Sequence, residues 1–130
     1  MPLVTILVED SKAIRDGLLA AMAELTDVDV VATAETAVDA TSALENFRER
    51  WELAVVDLFL KQGSGLAVLR ACRERPAYRH VLVLSNYVTP EIRRRCLELG
   101  ADAVFDKSTE LEAFFEKCNA YARNGRRPGA

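Results

Sequence analysis

No apolar run in this sequence is long enough to cross a bilayer, which excludes an integral helical membrane protein. Glycine-rich phosphate loops are also missing. Neither GxGxxG nor the P-loop pattern occurs, and the acidic segment Glu9-Asp10-Ser11-Lys12 would repel a bare phosphate. Cysteine is scarce. Cys72, Cys96 and Cys118 are odd in number, and none forms a CxxC or CxxH pair. Each falls on the apolar face of a predicted helix, so buried reduced thiols are expected, not a disulfide framework or a zinc site. An excess of positive charge is absent too: the net charge is −3, which argues against nucleic acid as the main partner. No signal-peptide pattern precedes the first predicted strand, and a cytoplasmic location is expected. There is no internal repeat, low-complexity segment or interdomain linker.

What is present is centred on Leu53-Ala54-Val55-Val56-Asp57-Leu58-Phe59. Four apolar residues run straight into an acid. The run is too short for a helix and rich in Val, so it reads as a strand buried on both faces in the middle of a parallel sheet. Asp57 then stands at the carboxyl end of that strand, where open α/β sheets place their ligands.

The rest of the chain repeats this pattern. Strands are predicted at Leu3–Val8, Val28–Ala32, Val81–Leu84 and Ala103–Phe105, the second less buried because it carries Asp29. The first helix follows Ser11 as N-cap and turns Ile14, Leu18, Met22 and Leu25 inward. The second runs from about Thr36 to Arg50 with Ala40, Leu44 and Phe47 inside. A third, carrying Leu66, Leu69 and Cys72, is stopped by Pro76. A fourth starts at Pro90, buries Ile92, Cys96 and Leu99, and ends at Gly100. Ser108 or Thr109 is expected to cap a last helix bearing Leu111, Phe114, Phe115 and Cys118. Five βα units in 130 residues predict one domain, a parallel sheet with helices on both faces. Residues 1–123 are expected to form it, and residues 124–130 a frayed basic tail.

Four strands end in a residue able to do chemistry: Glu9-Asp10, Asp57, Ser85 and Lys107. If their strands lie side by side, all face one crevice. Three carboxylates there repel one another, and either a retained proton or a bound cation relieves them. Oxygen ligands select a hard ion such as Mg²⁺. A cation, an ammonium and a hydroxyl around one carboxylate make a receptor for a phosphoryl group, which Asp57 can attack in line. Singly, each residue has an ordinary explanation: Asp10 as a helix cap, Ser85 as a loop serine, Lys107 as a solvated lysine, Asp57 as a turn residue. It is their joint occurrence that points to chemistry.

With these residues in place, the sequence resembles the receiver domain of bacterial two-component response regulators over about Pro2 to Tyr121. The resemblance implies an α/β, doubly wound, flavodoxin- or CheY-like fold of five parallel strands in the order 2-1-3-4-5 with five helices. It implies that Asp57 is the phospho-acceptor. Mg²⁺ would be held directly by Asp10, Asp57 and the backbone carbonyl of Phe59, and through water by Glu9. Ser85 matches the switch hydroxyl, Lys107 the site lysine and Gly65 the glycine opening the third helix. The expected partners are a histidine kinase or phosphotransfer protein upstream and a protein target downstream, with no membrane, and with self-association into a homodimer as a further option. No output domain is apparent after the last helix, so a stand-alone regulator signalling through the face of the fourth helix, fifth strand and fifth helix is expected. Arg93, Arg94, Glu98 and Glu112 are its expected outward residues. The protein would be no enzyme beyond its own phosphorylation and dephosphorylation.

Several positions depart from the family pattern. Lys61 and Ser108 replace prolines, and a Lys107–Ser108 peptide is expected to be trans. Val104 stands where the aromatic switch residue is usual, and Phe105, one position on, would face the opposite side of the sheet. Asn86 replaces a very small residue. Phe59 and Tyr87, each two residues past a site residue, are expected to hinder attacking water and prolong the acyl phosphate. Two alternatives remain: an interaction module that is never phosphorylated, and an aspartyl-phosphate phosphatase. The second lacks the acid two residues after the nucleophile, where Phe59 stands.

Overall fold

The computed structural model describes residues 2–124 and residue 126. Its elements run β1 (Leu3–Val8), α1 (Lys12–Leu25), β2 (Val28–Ala34), α2 (Ala37–Asn46), β3 (Leu53–Val56), α3 (Gly65–Ala71), β4 (His80–Ser85), α4 (Pro90–Glu98), β5 (Ala103–Asp106) and α5 (Leu111–Asn124). The strands form one sheet in the order β2-β1-β3-β4-β5, and all neighbours are parallel. Strand alternation sorts the core into two layers. Ile6, Val8, Ala54, Val56, Val81, Val83 and Val104 pack with residues of α2, α3 and α4. Leu3, Leu7, Leu53, Val55, Leu82 and Leu84 pack with Leu18 and Met22 of α1 and Phe114 and Cys118 of α5. Every residue of β3 is buried, as its unbroken apolar run requires, whereas the edge strand β2 is mostly half-exposed.

The helix starts follow their caps. Ser11, Thr36, Ser64 and Thr89 each accept a backbone N–H of the first turn, and Pro90 begins α4. The helix ends and faces need correction in places. β2 runs two residues past Ala32. α2 stops at Asn46, because Arg50 and Trp51 donate backbone N–H groups to the Phe47 carbonyl in a turn that delivers Trp51 into the core. α3 ends at Ala71, capped by Cys72, well before Pro76. Ile14 and Leu25 are 39% and 54% exposed, so α1 is anchored by Leu18 and Met22, with Leu19 packed beside them. Neither Ser108 nor Thr109 caps α5; Phe114 N–H donates to the Glu110 carbonyl, and Ser108 donates to the Asp106 carboxylate instead.

The three cysteines are free and buried. Among the described residues no peptide bond is cis, so Lys107–Ser108 is trans as expected. No helix among them is long and apolar enough to cross a membrane. Asn124 still belongs to α5, and Arg126 donates to the Glu52 carboxylate and the Pro2 carbonyl. Residues 125 and 127–130 of the expected tail lie outside the described residues.

Candidate functional site

The sheet register carries the site. Val8 pairs with Val56, Val56 with Val83, and Ser85 with Asp106. The ladder continues just past the strands: Asp57 N–H donates to the Val8 carbonyl and Lys107 N–H to the Ser85 carbonyl, each at 3.0 Å. The carboxyl ends of β1, β3, β4 and β5 therefore open side by side.

Their side chains meet on one carboxylate. Asp57 Oδ1 accepts from Ser85 Oγ at 2.9 Å and from Phe59 N–H at 3.2 Å. Asp57 Oδ2 accepts from Lys107 Nζ at 2.9 Å. Lys107 Nζ also donates to Glu9 Oε1, so one ammonium bridges two acids. Glu9 Oε2 accepts Ser11 N–H at 3.1 Å. Glu9, Asp57 and Ser85 are almost wholly buried. Asp10 joins them: Glu9, Asp10 and Asp57 each offer an oxygen within 4.8 Å of the others. Ser11, not Asp10, caps α1, which removes the ordinary explanation for Asp10.

Burial pushes the Glu9 carboxyl up, and the Asp57 charge adds to this, while Lys107 and Ser11 pull it down less strongly. Burial also works against the Lys107 ammonium, but the bonds and charges of Asp57 and Glu9 together outweigh it and push its pKa up. Lys107 is therefore a fixed positive charge. One ammonium against three acids leaves the crevice acidic and oxygen-lined, and this donor set fits a hard divalent cation such as Mg²⁺.

The loop after β3 is held tightly. Gly65 N–H donates to the Leu58 carbonyl. A Cβ on Gly65 would lie 2.2 Å from the Asp57 carbonyl oxygen, so only glycine lets the start of α3 approach the acceptor's backbone. Phe59 forms a bridge to Ser64. Its ring is 54% exposed and lines a groove with Leu66, Ile92 and Arg95. Tyr87 is 83% exposed and has a positive φ of 57°, an uncommon conformation for a bulky residue. Asn86 lies beside Lys107 in a second groove, between Ile14 of α1 and Phe115 of α5.

Val104 sits in the core layer under α4, while Phe105 faces the other layer and packs edge-on against Phe114. Arg93 is the correction on this side. It does not simply point outward: its guanidinium reaches the Val104 carbonyl and, at 2.9 Å, Glu110 Oε1. Glu110 Oε1 in turn accepts Asp106 N–H at 3.0 Å. Arg94 and Glu98 are exposed and 3.6 Å apart, and Glu112 is exposed. Arg15, Glu35 and Asp106 also take part at this end of the sheet, with no motif in the sequence to mark them. Arg15 Nη1 donates to the Glu9 carbonyl at 2.9 Å. The only available signal was helical spacing, which puts Arg15 one turn after Ser11.

Known proteins similar to this chain share its fold. The family model described as the response regulator receiver domain matches residues 5–119. The uncharacterized transcriptional regulatory protein YhcZ of Bacillus subtilis (strain 168) is 26% identical over 107 residues, covering 82% of this chain and 49% of the relative. The chain thus spans about half the length of that curated relative. A two-component response regulator of the LuxR family from Aurantimonas sp. SI85-9A1 superposes with a TM-score of 0.83 at 22% identity, covering 98% of this chain and 89% of the other. The CheX-CheY-BeF3-Mg complex from Borrelia burgdorferi gives 0.75 at 17%, covering 90% of each. At these identities the structural likeness is one of fold.

Proposed function

The chain belongs to the response regulator receiver domain family, and from that premise we propose that it accepts a phosphoryl group on Asp57 from a histidine kinase or phosphotransfer protein. The observation that carries this reading is the convergence of two further acids, one ammonium and one hydroxyl on the buried Asp57 carboxylate.

In this reading Asp10, Asp57 and the Phe59 carbonyl would hold Mg²⁺ directly and Glu9 would hold it through water. When bound, the ion would supply positive charge to the phosphoryl group. The chain's own groups do the rest. An Asp57 carboxylate oxygen forms the new bond to phosphorus. The phosphorus–nitrogen bond of the donor phosphohistidine breaks, and its electron pair stays on the imidazole. Lys107 and Ser85 donate to the oxygens of the arriving group, and both already bond to Asp57. Such fixed donors act mainly by positioning and charge neutralisation.

The receiver unit, expected over residues 1–123, takes in Asn124 at the end of α5, and a basic tail follows it. Its output runs through protein contact at α4, β5 and α5, where Arg94, Glu98 and Glu112 face out. Phe59, Asn86 and Tyr87 flank the approach to Asp57 and slow the loss of the phosphoryl group. Replacing Phe59 and Tyr87 by small polar residues should speed that loss in Mg²⁺; unchanged decay would remove them from this role.

The deciding experiment is the intact mass of the protein after incubation with Mg²⁺ and acetyl phosphate. A phosphoryl adduct is expected, absent with EDTA and absent in Asp57→Ala. If neither acetyl phosphate nor beryllofluoride modified the wild type, the unphosphorylated interaction module would replace this reading.

A further inference from the structure

The acid cluster leaves one question open: what fixes the loop that carries Glu9 and Asp10 while its acids repel one another. Side-chain bonds from Lys107 and Ser11 N–H act on the Glu9 carboxylate. The loop's backbone is held differently. Glu9 N–H donates to the Ala34 carbonyl at 2.9 Å. The Glu9 carbonyl accepts from Arg15 Nη1 at 2.9 Å. The same nitrogen lies 2.9 Å from Glu35 Oε1, and the Arg15 side chain is only 13% exposed. Glu35 belongs to the β2–α2 loop, so one guanidinium ties the acid-bearing loop to its neighbour.

We infer that Arg15 is a positioning residue for the cation site, with Glu35 as its counter-ion. The inference rests on the proposed Mg²⁺ site. A planar guanidinium can hold a carbonyl and a carboxylate at once, and its charge is permanent. The backbone N–H and carbonyl of Glu9 are then both anchored, through Ala34 and through Arg15.

The brace extends further on its far side. Ala37 N–H donates to the Gln62 carbonyl at 3.1 Å, and a Cβ on Gly63 would come within 2.5 Å of the Ala37 Cβ. The β2–α2 loop and the first residue of α2 thus touch the loops after β1 and β3. Lys61 also reaches Glu35, but at 3.8 Å and with 63% of its side chain exposed. A solvated pair at that distance contributes little. Arg15 is therefore the strong arm and Lys61 the weak one.

Charge and positioning predict opposite signs. Removing a cation next to three acids would by itself tighten Mg²⁺ binding. Releasing the loop would weaken it, and losing a group that orients ligands typically costs 10–100-fold in metal affinity. The test is calorimetric titration of Mg²⁺ into wild type, Arg15→Gln, Arg15→Lys and Lys61→Gln, with the circular dichroism of each measured without metal. Arg15→Gln should bind about 10–100-fold more weakly. Arg15→Lys, which keeps the charge on a side chain too short to bring its nitrogen to where Nη1 meets both oxygens, should also be weakened. Lys61→Gln should change less than about twofold. The Mg²⁺ concentration giving half-maximal phosphorylation should rise in Arg15→Gln while the rate at saturation is kept. Equal or tighter Mg²⁺ binding by Arg15→Gln would overturn the inference while leaving the proposed function standing. Wild-type protein that bound no Mg²⁺ would overturn both. If Arg15→Gln did not fold, Arg15→Lys decides by the same criterion.

Discussion

Two glutamates are buried among the described residues, one at each end of the sheet, and they are held in opposite ways. Glu9 follows β1 and is 1% exposed; Glu52 precedes β3 and is 3% exposed. Glu52 accepts Val4 N–H at 3.1 Å and bonds Arg126. That arrangement closes the bottom of the sheet, where Glu52 N–H also donates to the Val4 carbonyl. Glu9 shares one lysine with Asp57 and lies within reach of a third acid. Burial and the Asp57 charge push its carboxyl up. The same residue type at similar burial is a fastening at one end and part of a strained, acid-rich crevice at the other. Excess like charge, kept in place by the sheet, distinguishes a site for chemistry from a structural contact.

The comparison breaks most sharply if the two basic partners are removed in turn. Lys107→Ala should slow phosphorylation by about 100-fold or more, as loss of a fixed donor to developing charge does, while the fold persists. Arg126→Ala should leave the phosphorylation rate unchanged and lower stability by about 1–3 kcal/mol, because a buried charged group loses a partner. Acetyl phosphate kinetics and urea unfolding on both variants check this; equal effects on both readouts would erase the distinction.

Gly65→Ala sharpens the same contrast from the backbone side. The added methyl meets the Asp57 carbonyl, so a stability loss of about 1–3 kcal/mol is expected, together with slower phosphorylation. Gly17→Ala is the control, since nothing lies near its missing Cβ; it should do neither.

A smaller effect concerns pH. Asp106 is held below the usual carboxylate range by its bonds from Ser108, and Glu110 by Arg93 beside it. Both folded values lie below the unfolded ones. The stability they contribute is therefore present above the unfolded pKa values, near 4, and is lost as pH falls through the folded values. Urea midpoints should fall between pH 5 and pH 3 more in wild type than in a Ser108→Ala, Arg93→Gln double variant. A parallel decline would contradict the assignment.

The smallest expected signal is from the thiols. Burial pushes Cys72 up to about 11 and Cys118 up to about 12. Few thiolates exist at pH 8, so alkylation in the native state should be slow and become rapid only in denaturant. Fast labelling of the native protein would show that the layers under α3 and α5 open readily.

The sequence by itself determined the periodicities. The apolar run at Leu53–Val56 could only be a buried strand, and the alternation of such runs with helical spacing required a parallel α/β sheet. It also determined which residues stand at the strand ends, because a parallel sheet turns all its carboxyl ends the same way. That is why Glu9, Asp10, Asp57, Ser85 and Lys107 were legible before any coordinates. Helix ends were less so. Pro76 looked like the stop of α3 and Arg50 like the end of α2, yet Cys72 and Phe47 close those helices. Turns are set by where a side chain such as Trp51 must be buried, and local propensity is weak against that demand. Ser108 favours a cap by its residue type, but it donates to the Asp106 carboxylate instead. Only the tertiary structure decided the partners across elements: Arg15 with Glu9 and Glu35, Arg93 with Val104 and Glu110, Arg126 with Glu52. Long charged side chains on helix surfaces and loops look alike in a sequence. Their roles depend on distances between segments far apart in the chain, and those distances exist only once the sheet has formed.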